Sequence, residues 1–130
     1  MNVPNWLNDT VRGFGRQLGL ETLALNDRGA AGINFENGMS LRLEHVRGAM
    51  MVVVKLGGEP SGDALRAALA EAHPAASDGK GPDIRAACAS GTGEAMLVIR
   101  IVERDLGVSA LESAFRRLWE RAERLRRIAG

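Results

Sequence analysis

The sequence predicts an α+β fold in which an antiparallel, twisted sheet of about five strands is combined with three helices. Three observations support this prediction: apolar residues at helical spacing near both ends of the chain, a similar pattern in the middle, and hairpin turns between short alternating segments. Consecutive hairpins favour an antiparallel sheet. The predicted element order is α-β-β-β-α-β-β-α, in one domain that covers residues 1–130.

The first helix is predicted to begin at Asn5. Its apolar stripe consists of Leu7, Val11, Phe14 and Leu18. Gly19 follows the stripe, where a left-handed residue commonly ends a helix. Gly13 and Gly15 weaken a helix, so we expect them to allow close packing against a neighbouring backbone. They are not a nucleotide loop, because the spacing to Gly19 is one residue too long and the helix precedes the glycines.

The next part of the chain contains four short segments that we interpret as three or four strands. They are "TLAL", "AGINF", "MSLRLEHV" and "AMMVVVKL". The intervening "NDRG", Asn37-Gly38 and "RG" are turn sequences, of which Asn-Gly is the strongest short hairpin signal.

A second helix is predicted over "SGDALRAALAEAH", with Ser61 or Asp63 as its cap. Its apolar stripe consists of Leu65, Ala68, Leu69 and Ala72. The segment Pro74 to Asp83 is rich in Pro, Gly, Ser and Asp and is predicted to be a loop. Two more strands, "IRAACAS" and "AMLVIRIVER", are joined by the turn "GTGE".

The last helix is predicted to start near Ser109, where "SALE" matches a capping box. Its apolar stripe consists of Leu111, Phe115, Leu118, Ala122 and Leu125, with Trp119 beside it.

Several predicted strands are apolar on both faces, notably Met50 to Val54 and Met96 to Val102. Three helices can cover one face of a five-stranded sheet, which measures roughly 400 Å². We therefore expect a second apolar face that is covered by a partner. The alternative is that the helices divide between both faces and the monomer is self-sufficient.

Composition excludes several classes of protein. The net charge is +1 and no apolar run approaches the ~20 residues of a membrane span. The N-terminus lacks the layout of a signal peptide, and the single Cys88 suits a reducing compartment, so we expect a cytoplasmic protein that does not insert into membranes. Cys88 alternates with Ile84 and Ala86 and is predicted to be a small buried apolar residue. With only two histidines, distant in sequence, we expect no metal, no cofactor and no enzymatic activity.

A nucleic-acid-binding or regulatory module is the rival hypothesis. It would use the six arginines of the final helix, which are Arg116, Arg117, Arg121, Arg124, Arg126 and Arg127. However, Glu120 and Glu123 each precede an arginine by four residues, the order that favours ion pairs. The chain also contains 15 arginines and 2 lysines, so arginine is common throughout. A solvated helix face is the preferred interpretation, with no nucleic acid as a partner.

The stretch "FGRQLGLETLALNDRGAAGINFENGMSLRLEH" resembles the front half of class I type III secretion chaperones, the Tir-chaperone-like effector chaperones. The resemblance continues through the middle helix, the "IRAACASGTGEAMLVIRI" hairpin and the closing "ALESAFRRLWERAERLRR". It covers most of the chain and rests on element order as much as on any motif.

The resemblance implies a bacterial homodimer with a role in virulence. Such proteins bind the N-terminal segment of a secreted effector in extended form, keep it soluble and bring it to the export apparatus and its ATPase. The implied dimer-interface residues are Leu65, Ala68, Leu69, Ala72, Ile84, Ala86 and Cys88. The implied effector-binding residues are Leu23, Leu25, Ile33, Phe35, Leu41 and Leu43. The chain departs from the family in being near neutral rather than acidic, and in a longer, more polar loop from Pro74 to Asp83.

Overall fold

The computed structural model describes residues 3–57, 82–88 and 94–129, except for the side chains of residues 88, 128 and 129. The described helices are α1 (Asn5–Gln17) and α2 (Val108–Ala129), with a 3₁₀ turn at Glu103–Asp105. The strands are β1 (Ala30–Asn34), β2 (Ser40–Val46), β3 (Ala49–Lys55), β4 (Ile84–Cys88) and β5 (Ala95–Val102). They form one antiparallel sheet in the order β1-β2-β3-β5-β4, which confirms the predicted fold class and strand number.

The apolar stripe of α1 packs into the core as predicted, with Leu7, Val11 and Phe14 completely buried. The chain leaves the helix through Gly19, whose φ of +75° is the predicted left-handed conformation. A Cβ built on Gly15 would lie 2.6 Å from the carbonyl oxygen of Leu20 and 2.9 Å from Leu23 Cβ. Gly15 therefore allows the predicted close backbone approach, and the neighbouring backbone is the segment that follows α1 in the same chain.

Two of the predicted hairpin turns, at Asn37-Gly38 and Arg47-Gly48, are confirmed. At the Asn37-Gly38 turn, the Phe35 amide donates to the Met39 carbonyl at 2.8 Å and Gly38 has a φ of +90°. At the β2–β3 turn, Arg47 and Gly48 both have positive φ, the combination that suits the right-handed twist of paired strands.

The prediction of a strand at "TLAL" is wrong. The Leu25 amide donates to Oδ1 of Asn8 on α1, and the Leu23 amide donates to the Leu20 carbonyl. The bond to Asn8 holds the segment against α1, and none of the described strands pairs with its backbone.

The final helix begins one residue before the predicted position. The Leu111 amide donates to the Gly107 carbonyl, so the helix starts at Val108 and Ser109 lies inside its first turn. The predicted capping box is therefore wrong. The stripe is confirmed for Leu111, Leu118, Ala122 and Leu125, which are completely buried.

The predicted middle helix, most of the loop from Pro74 to Asp83 and most of the "GTGE" turn lie outside the described residues.

Both described helices pack on the same face of the sheet, here called the covered face. Its fully or nearly fully buried side chains include Leu41, Leu43, Val52, Val54, Leu97 and Ile99. The opposite face, here called the open face, carries the alternate residues of each strand. Several of these are apolar and partly exposed, namely Val46, Met51, Met96, Val98 and Val102. Ala49 and Val53 also belong to this face and are buried, so β3 is apolar on both faces, as its composition predicts.

Candidate functional site

Strand β1 forms one edge of the sheet, and the direction of its backbone groups follows from its pairing with β2. The His45 amide donates to the Gly29 carbonyl and the Phe35 amide donates to the Met39 carbonyl. In an antiparallel pair the residues that exchange hydrogen bonds alternate along the strand. The odd-numbered residues of β1 therefore bond to β2, and the N–H and C=O groups of Ala30, Gly32 and Asn34 are directed away from it.

Asn26 occupies the beginning of this edge. Its side-chain Oδ1 accepts a hydrogen bond from the Ala30 amide at 3.1 Å, and its own amide donates to the Ala30 carbonyl at 2.8 Å. The backbone groups of Gly32 and Asn34, which are both exposed, remain at the edge without a described strand beside them. Such a row of outward-directed groups is a template for pairing with an added strand.

A groove of about 420 Å³ runs along β1. Its lining comprises Asn26, residues 30–34, residues 40–42 and Lys55. Gly32 has no side chain to fill the groove on the open face. The residue paired with it on the adjacent strand β2 is Arg42. The groove thus gives an extended chain room beside the edge.

The other side of β1 is bordered by a partly exposed aromatic cluster. The Phe35 ring lies 4.8 Å from the Trp119 ring and 6.2 Å from the Phe115 ring, and Phe115 also contacts the buried Phe14. Phe35, Phe115 and Trp119 keep part of their surface exposed. Partly exposed aromatic residues backed by a rigid core are typical of energetically important positions in protein interfaces.

The structure divides the six residues predicted to bind an effector. Ile33 lies on β1, Phe35 follows it directly, and both are half-buried. By contrast, Leu23, Leu25, Leu41 and Leu43 have at most 9% of their surface exposed and belong to the core. These four side chains do not form a surface in this structure. An alternating apolar pattern is compatible both with core residues and with an exposed apolar patch. In the structure these four leucines are covered and belong to the core.

The residues predicted at the dimer interface are only partly described. Leu65, Ala68, Leu69 and Ala72 lie outside the described residues, as does the side chain of Cys88. Ile84 is 7% exposed and Ala86 is half-buried. Both lie on the covered face of β4, which is the second edge of the sheet.

The arginines of α2 are partly occupied by contacts within the chain. Arg116 pairs with Glu112 at 2.9 Å, and Arg117 donates to the Pro82 carbonyl at 2.8 Å. Arg121 and Arg124 have further interactions. This is the pattern expected of a solvated helix face rather than of a set of cations held ready for phosphates.

The described residues contain no group of three or more His, Cys, Asp and Glu side chains placed to hold a metal ion. No helix within them is long and apolar enough to cross a membrane. His45 instead pairs with Glu103, its Nε2 lying 2.6 Å from Oε1, and links β2 to the 3₁₀ turn.

Comparisons of sequence and of structure point to the same family. The sequence-family model "Type III secretory system chaperone SycN" matches residues 6–125 of this chain. The crystal structure of the ExsC–ExsE complex contains a chain of the same fold, with a TM-score of 0.77 and 20% identity, covering 98% of this chain and 96% of that one. The type III secretion chaperone SycH of Yersinia pestis, solved with a fragment of YscM2, gives a TM-score of 0.69 at 18% identity, covering 92% and 98%.

A third similar structure is the heterodimeric ExoU–SpcU complex from the type III secretion system of Pseudomonas aeruginosa. Its TM-score is 0.63 at 24% identity, and the match covers 88% of this chain and 93% of that one. No protein of curated function matches the chain in sequence.

Proposed function

The chain belongs to the type III secretory system chaperone SycN family, and on that premise we propose that it binds the N-terminal segment of a secreted effector in extended form at the β1 edge. Binding keeps the effector soluble and competent for secretion, and takes place in the bacterial cytoplasm. The mechanism involves recognition only, without a chemical step. The main support for the proposal is that the backbone N–H and C=O groups of Gly32 and Asn34 point away from β2, beside an open groove.

An effector strand at this edge would gain two kinds of interaction. Its backbone would pair with the N–H and C=O groups of Gly32 and Asn34, which gives affinity without dependence on sequence. Its alternate side chains would lie beside Ile33 and Phe35, where Trp119 extends the apolar surface. Since strand residues alternate between faces, the side chains between them would enter the groove next to Arg42. We therefore expect the bound segment to alternate apolar and polar residues.

The direct test is co-expression of the full chain with the large open reading frames that neighbour its gene, followed by affinity purification. We expect one secreted protein to copurify, and its N-terminal segment alone to be sufficient. Failure of every such candidate to copurify would contradict the proposal.

The site within the chain can be tested by replacing Gly32 with proline. Proline removes the outward-directed N–H without breaking a bond to β2, a position where an edge strand tolerates it. We expect Gly32→Pro to weaken effector capture by about tenfold, since a hydrogen bond contributes about 1 kcal/mol and its neighbours would be disturbed. Circular dichroism and the melting temperature should show that the fold is retained.

Gly32→Ala is the matched control, because alanine keeps the N–H and its Cβ would lie 3.4 Å from the Leu41 carbonyl oxygen, close to ordinary contact. Equal capture by the proline and wild-type chains would exclude strand pairing at β1. That result would not bear on the chaperone function itself, which the copurification experiment tests separately.

A further inference from the structure

Small residues separate the β1 edge from the cationic side chains of the next two strands. The register places Gly32 of β1 directly beside Arg42 of β2, and Ser40 of β2 between Asn34 of β1 and Lys55 of β3. Glycine inside a strand weakens the strand, and it often marks a place where another backbone or a ligand approaches closely. A residue of an added strand opposite Gly32 would therefore have no β1 side chain between itself and Arg42.

The groove along this edge has a positive character. Arg42 and Lys55 are the charged residues among its described lining, and both are cationic. Glu44, in the next row of the same face, pairs with Nε of Arg42. An arginine carries five N–H donors, so its terminal amino groups can donate to a second carboxylate. The groove therefore favours a negatively charged side chain over a neutral or a positive one.

We propose that the effector segment bound at β1 carries acidic side chains at the positions that enter the groove, and that Arg42 and Lys55 select them. This inference rests on the proposed function and adds the charge of the bound segment. The face of that segment on the other side of the sheet would meet Ile33 and Phe35, which are apolar and half-buried. The bound segment would therefore alternate apolar and acidic residues.

The spacing of the strands is compatible with such an ion pair. The residue opposite Gly32 on an added strand would lie two strand spacings from Arg42, roughly 10 Å. Arginine and glutamate have long side chains, which meet across a glycine more readily than across a residue that has a side chain of its own. The Arg42 side chain is 51% exposed, so solvent screens its charge and the selectivity should be several-fold rather than absolute.

The probe is a fluorescein-labelled peptide in which apolar residues alternate with glutamate, and the comparison peptide has glutamine at every glutamate. The two peptides have nearly the same shape and differ in charge. Fluorescence anisotropy measures the binding of each to the full chain. We expect the glutamate peptide to bind about fivefold more tightly at low salt, the effect of two exposed ion pairs. The ratio should approach one as salt is raised, because exposed charges are screened.

The decisive variant is Arg42→Gln combined with Lys55→Gln, which removes both cations of the groove. We expect the two peptides to bind this variant within about twofold of each other. The matched control is Arg85→Gln combined with Arg100→Gln, two exposed arginines of the same face that lie outside the groove lining and make the same change in net charge. The control should keep the fivefold ratio. Circular dichroism should show that both variants are folded, and the ratio in the wild-type chain tests the proposal without any variant.

Three results would overturn the proposal: equal binding of the two peptides to the wild-type chain, an unchanged ratio in the groove variant, or an equal loss of the ratio in the control. Equal binding that Gly32→Pro abolishes would exclude selection by charge while strand pairing at β1 stands. Binding of neither peptide would also overturn the proposal, and the copurification experiment tests the proposed function separately.

Discussion

At the scale of single residues, Gly15 shows why α1 contains a residue that weakens helices. The helix must end close to the segment that returns toward β1, and the Leu20 carbonyl lies where a Cβ would stand. The Leu20 amide donates back to the Gly15 carbonyl at 2.7 Å, which holds this approach in place. Close packing could be predicted from the glycine spacing. The packing partner could not, because a helical pattern does not contain the path of the chain after the helix ends.

We expect Gly15→Ala to destabilise the protein by about 1–3 kcal/mol, the range for forcing an atom into a packed site. Both of its close neighbours, the Leu20 carbonyl and Leu23 Cβ, are near the backbone and cannot move away easily. Urea unfolding followed by circular dichroism measures the effect. Gly13→Ala is the control. Its Cβ would lie 3.0 Å from Cγ2 at the end of the Val108 side chain, and the change from glycine to alanine stabilises a helix by about 1 kcal/mol, so we expect a smaller loss of stability. Similar losses in both variants would contradict this explanation.

Asn26 acts at the same scale on the start of the β1 edge. Its Oδ1 accepts hydrogen bonds from the amides of Arg28 and Ala30 at 2.9 and 3.1 Å. We expect Asn26→Ala to cost about 1–2 kcal/mol and to accelerate hydrogen exchange at the Ala30 amide, because both donors lose their acceptor. Asn34→Ala, a change at an exposed residue at the other end of the strand, should leave the Ala30 amide unchanged. Unaltered exchange in the Asn26 variant would show that another group protects this amide.

At the scale of elements, the hairpins could be predicted because their turns depend on two or three adjacent residues. Gly38 in the first turn, and both Arg47 and Gly48 in the second, adopt positive φ values. The false strand at "TLAL" has the opposite cause: its composition suits a strand, but a side chain 17 positions earlier takes its backbone amide. The candidate site lay beyond prediction for a similar reason. Whether Ile33 and Phe35 lie at an edge depends on the strand order, which is a property of the whole sheet.

The contact between α2 and the β1–β2 turn is an element-scale feature that stability can measure. Trp119 packs against Phe35 and Phe115, with ring centres 4.8 and 5.5 Å away. We expect Trp119→Ala to destabilise the protein by about 2 kcal/mol, less than for a fully buried aromatic residue because part of the ring is exposed. Trp6 is 45% exposed, so Trp6→Ala should cost less than about 0.5 kcal/mol. Thermal unfolding of the two variants provides the comparison, and equal shifts in melting temperature would contradict it.

At the scale of the whole molecule, the strand sequences predict more apolar sheet surface than the described helices cover. Long apolar runs in β3 and β5 make both faces of these strands apolar. Composition does not reveal that Lys55 and Arg100 interrupt the apolar residues of β3 and β5 on the open face. The register of four strands also places Arg42, Val53, Val98 and Arg85 in one row, which no single strand predicts.

The remaining edge, β4, is the surface that we propose for the homodimer. We expect the chain to have a mass of about 28 kDa by light scattering, twice the 13.9 kDa of one copy. Ala86→Asp places a charge on the covered side of this edge strand, and we expect it to reduce the mass to that of a monomer because an unpaired buried charge is costly. Ala87→Asp is the matched control on the open side of the same strand, and it should remain a dimer. Circular dichroism must show that both variants are folded. A monomeric wild type would exclude the homodimer, and a dimeric, folded Ala86→Asp variant would exclude this side of β4 as its interface.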